Sequence, residues 1–242
     1  MSIKKIILAA SVIAALASSA SAISVVDTFV GSGDFAGPNR DVIGDSSIFS
    51  VSKADLTLSN DQTFLTVTIF SDYFSNKGYI GTNPGSLFLR TSSPASAVAG
   101  SDGSSWNYGV KANNVNTAVA GSISTYALTS QNSFLISDSF NTGLWSEWRT
   151  NQEVDVNSAS ANLVSNSGSW EILGGNTLSF YIPVSSIGGA AILASNIDFS
   201  WAMTCANDVI RGSVDFKEVP EPATVLLLGL GGVAAIRRRA RV

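Results

Sequence analysis

The sequence predicts an all-β protein, a single two-sheet β-sandwich of jelly-roll-like type. Three observations support this fold class. In the middle of the chain apolar residues recur with a period of two, and turn-forming residues interrupt them about every eight to twelve positions. The same region contains no sustained 3.6-residue pattern. So many short strands in one compact domain usually form two packed sheets.

The clearest strand covers residues 63–70, in which Leu65, Val67 and Ile69 share one face. The alternating segment 54–58 precedes it, and the turn-forming residues between the two segments predict a β-hairpin. Further strands are predicted at 86–90, 105–110, 122–128, 133–136, 168–173, 177–182, 197–203 and 209–216, a helical turn at 184–187, and long loops at 31–47 and 141–161.

Residues 1–22 have the layout of a secretory signal peptide. Two lysines precede an apolar run, and Ala20 and Ala22 supply the small residues of a cleavage site. A membrane anchor is the alternative, but the apolar run is shorter than the ~20 residues that span a bilayer. We therefore expect signal peptidase to remove residues 1–22, and we expect the β-sandwich domain to occupy residues 23–216.

The charge distribution argues against nucleic acid as a partner. Of the 14 Lys and Arg residues, two lie in the predicted leader and four lie near the C-terminus. All 18 acidic residues lie between these ends, which gives the middle of the chain a net charge of −10. Binding to phosphates depends on clustered Lys and Arg. Metal cations and neutral or basic surfaces remain compatible with this charge.

The sequence offers little for catalysis. It contains no histidine, which excludes Ser-His and Cys-His pairs and imidazole metal ligands. A carboxylate pair could support glycoside hydrolysis, but the spacing of Glu147, Glu153 and Glu171 singles out no two of them. We predict no catalytic residue and no enzymatic activity, with a glycan-active enzyme as a less favoured alternative. Cys205, the only cysteine, is interpreted as a small buried apolar residue.

The predicted loop at 31–47 places Asp34, Asp41 and Asp45 among glycines. Carboxylates and main-chain carbonyls are the ligands that Ca²⁺ takes, so these three residues are candidate ligands for this ion. Asp beside Gly is also the usual composition of a turn. Both interpretations stay open.

Trp145 and Trp148 are candidate glycan contacts, because indole rings stack on sugars and the amides of Asn151 and Gln152 lie close in sequence. A spacing of three places the two rings on opposite faces of a strand, so only a bent loop could present both. Packing at the edge of the sandwich is the alternative. Trp170 and Trp201 lie in apolar strands and are expected in the core.

Residues 217–242 combine a proline-rich entry, an apolar run and a basic end. The apolar run is 14 residues, about 21 Å as a helix, which is short for a bilayer core of about 30 Å. A permanent anchor and a transient, cleaved insertion into the inner membrane are the two interpretations, and the length favours the second. The entry is Val219, Pro220, Glu221 and Pro222, and the basic end is Arg237, Arg238, Arg239 and Arg241.

This tail resembles the PEP-CTERM sorting signal of Gram-negative bacteria. The resemblance implies recognition and cleavage by exosortase, a membrane protease-transpeptidase. It also implies delivery to the cell surface or to an extracellular matrix rich in polysaccharide, as in biofilms. Residues 197–210 resemble the last strands of uncharacterised PEP-CTERM proteins, and residues 177–188 resemble strand endings of carbohydrate-binding jelly rolls.

We therefore expect an exported, non-catalytic surface or matrix protein. The alternative is a carbohydrate-binding module that grips extracellular polysaccharide.

Overall fold

A computed structural model describes residues 22–29, 41–92, 96–100, 104–140, 149–194 and 196–216. Within these ranges short antiparallel strands dominate, which confirms the all-β prediction. The strands are β1 (Ala22–Val26), β2 (Val51–Leu58), β3 (Phe64–Ser71), β4 (Leu87–Arg90), β5 (Val98–Ala99), β6 (Ser105–Trp106), β7 (Tyr108–Ala112), β8 (Ala120–Ala127), β9 (Phe134–Ile136), β10 (Glu153–Val156), β11 (Asn162–Ser165), β12 (Ser169–Leu173), β13 (Thr177–Pro183), β14 (Ile197–Ala202) and β15 (Val209–Val214).

Helical structure in the described ranges is limited to short connecting segments. None of these helices has the length and apolar character needed to cross a lipid bilayer. The segments are the α-helix α1 (Ser46–Phe49) and 3₁₀ turns at Asp72–Asn76, Tyr79–Gly81, Gln131–Ser133, Ser137–Phe140, Val184–Ile187 and Gly189–Ala194.

Eleven of the described strands belong to one continuous sheet. Its order is β1-β2-β3-β13-β12-β8-β7-β4-β14-β15, and β11 also pairs with β8. The two predicted layers are therefore joined by hydrogen bonds between β12 and β8, where Trp170 lies opposite Gly121. The sheet folds over on itself, so that β15 contacts both β1 and β2. We call the contact between the first strand and the last strand the seam.

The predicted hairpin is confirmed as the pair β2 and β3. Leu56 lies opposite Val67, and Leu58 lies opposite Leu65. Leu65, Val67 and Ile69 are fully buried, whereas Phe64 is exposed. Full burial of each such aliphatic side chain contributes about 1.5–3 kcal/mol to folding, so the alternating pattern fixes which face of the strand points inward.

The main core draws side chains from both layers of the folded sheet. Trp170 and Trp201 are buried in it, as predicted. Their indole N–H groups donate to the carbonyl oxygens of Asn113 and Gly85, which satisfies the polar atom that each ring carries inward. Cys205 is buried as predicted, and burial raises the pKa of its thiol to about 12.

Two of the predicted segments are wrong in part. The predicted strand at 105–110 is divided into β6 and β7 at Asn107, whose side-chain amide exchanges two hydrogen bonds with the backbone of Thr91. The predicted loop at 141–161 contains β10, which pairs with β9. Charged and apolar residues alternate in β10, but the charges of Glu153 and Asp155 make the short apolar pattern of Val154 and Val156 hard to recognise as a strand.

The seam yields a first testable prediction, the substitution Gly212→Ala in β15. A Cβ at this position would lie 2.6 Å from Val25 Cγ1 and 2.9 Å from Phe199 Cε1. Because such overpacking typically costs about 1–3 kcal/mol, we expect the variant to lose a corresponding free energy of unfolding in urea titrations.

The double variant Gly212→Ala/Val25→Ala distinguishes the seam from a general effect of alanine in a strand. Removal of Cγ1 at position 25 should recover part of the loss, because the shorter contact is relieved. Purely additive effects of the two substitutions would contradict the packing of β1 against β15.

Candidate functional site

Three aspartates from distant parts of the chain meet at one end of the seam. Asp27 follows β1, Asp208 precedes β15, and Asp41 comes from the segment before α1. Carboxylate oxygens of all three lie within 4.8 Å of one another. The closure of the sheet creates this seam cluster, because it brings the end of the first strand to the beginning of the last strand.

Asp208 binds both layers of the folded sheet through backbone donors. Its Oδ2 accepts a hydrogen bond of 2.6 Å from the N–H of Val51, at the start of β2. Its Oδ1 accepts one of 2.8 Å from the N–H of Val209, at the start of β15. The side chain is fully buried, so these bonds replace the water that a carboxyl group would otherwise need.

Arg149 is the cation of the seam cluster, and it is fully buried. Its Nη2 donates to the carbonyl oxygen of Asp41 at 2.6 Å, and its Nε donates to that of Ala206 at 3.2 Å. Both Arg149 and Arg211 also lie near the ring of Phe29, with Cζ 5.7 Å and 4.6 Å from its centre. The guanidinium thus offsets part of the negative charge while it holds two loops in place.

The segment that carries Asp41 is fixed by Asn207. The N–H of Ile43 donates to the carbonyl oxygen of Asn207 at 2.8 Å, and the side-chain Nδ2 of Asn207 donates back to the carbonyl oxygen of Ile43 at 2.9 Å. This two-way contact brings Asp41 to the residues next to β15.

Burial and their interaction with each other shift the pKa values of Asp27 and Asp208. Burial raises the pKa of Asp27 to about 6 and the pKa of Asp208 to about 8. The charge of Asp27 contributes to the rise at Asp208, whereas a hydrogen bond from Asp208 opposes the rise at Asp27. Oδ1 of Asp27 accepts from the N–H of Phe29, but its buried Oδ2 has no donor among the described residues. A hydrogen bond between the carboxyl groups of Asp27 and Asp208 requires a proton on one of them, so the two groups titrate as a pair.

Three carboxylates at this distance could also hold a hard cation in place of the shared proton. Of the two candidate calcium ligands that the structure describes, Asp41 and Asp45, Asp41 lies in this cluster. Asp45 instead caps α1, where its carboxylate accepts from the N–H and the hydroxyl group of Ser47, which lowers its pKa. Asp34 lies outside the described residues, and calcium binding by the three predicted ligands stays a prediction.

Asp27 and Asp208 were not predicted as site residues, because 181 positions separate them in the sequence and only the sheet topology joins them. A local signal does exist for Asp208. It is a carboxylate between two strongly apolar strands, a position where a buried charge is expected to have a partner.

Apart from Ala22, the other predicted site residues lie outside the described ranges. Trp145 and Trp148, the candidate glycan contacts, belong to the segment 141–148. Ala20 precedes the first described residue, whereas Ala22, the predicted last residue of the leader, begins β1. The sorting motif Val219–Pro222 and the basic cluster of Arg237, Arg238, Arg239 and Arg241 follow the last described residue.

Comparison with known proteins identifies the C-terminal segment. Residues 218–240 match the family model of the PEP-CTERM protein-sorting motif. The chain carries a PEP-CTERM sorting signal. The match confirms the predicted resemblance on the Pro-Glu-Pro entry, the apolar run and the arginines up to Arg239. No curated protein and no solved structure shows significant similarity to the chain.

A PEP-CTERM signal indicates an exported protein that exosortase processes on its way to the cell envelope. The match covers the tail alone, so the seam cluster and the rest of the folded domain have to be interpreted from their own geometry.

The shared proton predicts how stability depends on pH. The ordinary pKa of Asp is near 3.8, so between about pH 4 and pH 8 the folded protein binds more protons than the unfolded chain. Stability should therefore fall as the pH rises through this window. In the variant Asp27→Asn, the amide donates permanently to Asp208 and removes one negative charge. We expect the decline to flatten, with a gain on the order of 1 kcal/mol at pH 8.

Unfolding in urea at a series of pH values measures this effect. Asp72→Asn is the matched control, because it removes one exposed carboxylate outside the seam cluster. If both variants show the wild-type pH profile, the seam cluster does not retain a proton in the folded state.

Proposed function

We propose that this protein is a non-catalytic component of the extracellular matrix of a Gram-negative bacterium, delivered there through exosortase. The PEP-CTERM match at residues 218–240 carries the proposal. The predicted signal peptide at residues 1–22 supplies the entry into export that such a signal requires. Sorting then releases the folded domain from the inner membrane to the cell exterior.

The composition of the domain supports a role in a hydrated, largely uncharged matrix. Charged residues make up 13% of the chain, against a usual share of about 25%. The exposed surface is therefore formed largely by uncharged polar side chains. A surface of this kind interacts with neutral polymers through hydrogen bonds rather than through ion pairs.

The positions of the glutamates support a role without catalysis. Glu153 is buried, and its Oε2 lies 3.7 Å from Nη2 of Arg211. Glu171 accepts a hydrogen bond from the hydroxyl group of Tyr181 on the neighbouring strand. Both of these carboxylates already have partners within the domain, and the chain has no histidine that could replace them as a base.

The mass of the mature protein tests the sorting step. In cells that contain exosortase, we expect the protein to lack residues 223–242 and to be recovered from the matrix fraction. In cells without exosortase, it should keep these residues and remain with the inner membrane. The double variant Pro220→Ala/Pro222→Ala should behave in wild-type cells as the unprocessed protein does, because it loses the extended entry to the apolar run.

Pro94→Ala provides a matched control, since it removes a proline far from the motif. If wild-type cells retain residues 223–242 on the protein, the tail is a permanent anchor and the proposed matrix location is wrong. Recovery of the processed protein from the growth medium alone, with none in the matrix, would also contradict it.

A further inference from the structure

A polar cleft of about 270 Å³ lies beside the beginning of β4 and the end of β7. Its walls include three asparagines, Asn83, Asn114 and Asn116, together with the aromatic ring of Phe140. The volume is slightly below the range of about 300–1,000 Å³ in which proteins hold drug-sized ligands. A cleft of this size suits a single small ring better than an extended ligand.

The three asparagines that line the cleft have side-chain amides that remain available for hydrogen bonding. Their side-chain amides form no hydrogen bond with any residue that the structure describes. Each amide offers two donors and an oxygen acceptor. An amide that both donates and accepts hydrogen bonds is complementary to a sugar hydroxyl group, which also donates and accepts them.

The floor of the cleft is an ion pair that is already neutralised. Nζ of Lys111 lies 2.5 Å from Oδ2 of Asp155, and the hydroxyl group of Ser86 donates to Oδ1 of Asp155 at 2.5 Å. The N–H of Val156 donates to the same Oδ1 at 2.9 Å. Because Asp155 is held by three donors, the floor carries fixed dipoles but little net charge.

The turn that carries Asn114 and Asn116 is ordered by hydrogen bonds to its backbone carbonyl groups. Nζ of Lys77 donates to the carbonyl oxygens of Val115 and Ala118, at 2.9 Å for Val115. The N–H groups of Thr117 and Ala118 donate to the carbonyl oxygen of Asn114. A turn that is ordered before binding loses little conformational entropy when a ligand arrives.

The opposite walls are also anchored. The backbone N–H of Asn83 donates to the hydroxyl oxygen of Thr204 at 3.0 Å, and the N–H of Thr204 donates to the carbonyl oxygen of Asn83. Phe140 is partly buried and packs against a small cluster that includes Val154 and Ala202. The ring is therefore held at the cleft by its contact with the core.

We propose that this cleft binds one residue of a neutral polysaccharide. The amides of Asn83, Asn114 and Asn116 bond the sugar hydroxyls, and the ring of Phe140 contacts an apolar face of the sugar. An aromatic surface together with a few convergent polar groups is the usual composition of such a site. This proposal depends on the proposed export in one respect, namely that export brings the protein to the polysaccharide.

The charges exclude an acidic polymer as the preferred ligand. The middle of the chain has a net charge of −10, which repels a polyanion. Lys111, the cation of the cleft, is already paired with Asp155. A uronate polymer would have to break that pair before it could use the lysine.

Affinity electrophoresis of the mature protein, purified from exporting cells, tests the proposal. The probes are a soluble glucan, a mannan and a galactan, with a uronate polymer as the acidic comparison. We expect retardation by at least one neutral polymer. Asn83→Ala/Asn116→Ala should weaken it at least tenfold, because two of the three asparagine amides that bond the sugar are lost. Phe140→Leu should weaken it while it keeps the apolar contact with the core.

The matched control is Asn162→Ala, which removes an exposed asparagine from β11, outside the cleft. This variant should bind as the wild type does, and circular dichroism should give the same spectrum for all variants. Equal loss of binding in Asn162→Ala would overturn the cleft as the site. Loss in Trp145→Ala/Trp148→Ala with full binding in the asparagine variants would also overturn it.

Two further outcomes would overturn the ligand class. Binding of the uronate polymer alone would replace the neutral sugar with an acidic one. If a folded, correctly processed protein binds none of the four polymers, the cleft does not bind glycans. The proposed export would stand in that case, because it is judged from the mass and the location of the protein rather than from binding.

Discussion

The fold depends on the contact by which a single antiparallel sheet closes on itself. The strands β1 and β15 are the two ends of the hydrogen-bonded order, and without the contact between them the sheet would expose part of the face that now forms the core. Asp208 fixes the closure, because one buried carboxyl group accepts hydrogen bonds from the first residue of β2 and from the first residue of β15.

The same closure is electrostatically unfavourable, because it brings the carboxyl groups of Asp27 and Asp41 close to that of Asp208. A buried carboxylate without a partner costs several kcal/mol. The protein meets this cost with a shared proton and with Arg149, a fully buried guanidinium that also bonds two loop carbonyls. Truncation of Arg149 would thus affect charge and loop position together, and the effects of the two losses would not be additive.

The sequence alone predicts those strands and core residues that follow from the local alternation of apolar and polar residues. The strand with Leu65, Val67 and Ile69, its hairpin partner and the core tryptophans follow from alternation and burial. The segment β10 does not, because its charged residues Glu153 and Asp155 find partners that lie far away in sequence, Arg211 and Lys111 among them. Likewise, Asp41 could be predicted as a candidate ligand from its loop. That Asp27 and Asp208 lie beside it in space follows only from the order of the strands in the sheet.

Strand directions give the domain two unlike poles. The end of β1 and the start of β15 meet at the aspartates, so Ala22 and Val214 both lie towards the opposite pole. Met203, which bridges to Pro84, and Thr204 of the cleft lie on the aspartate side. The predicted leader precedes Ala22 and the sorting tail follows the last strand, so the proposed cleft lies on the side of the domain away from the attachment points of both predicted tethers. The glycan cleft would be open to its surroundings before either tether is cut.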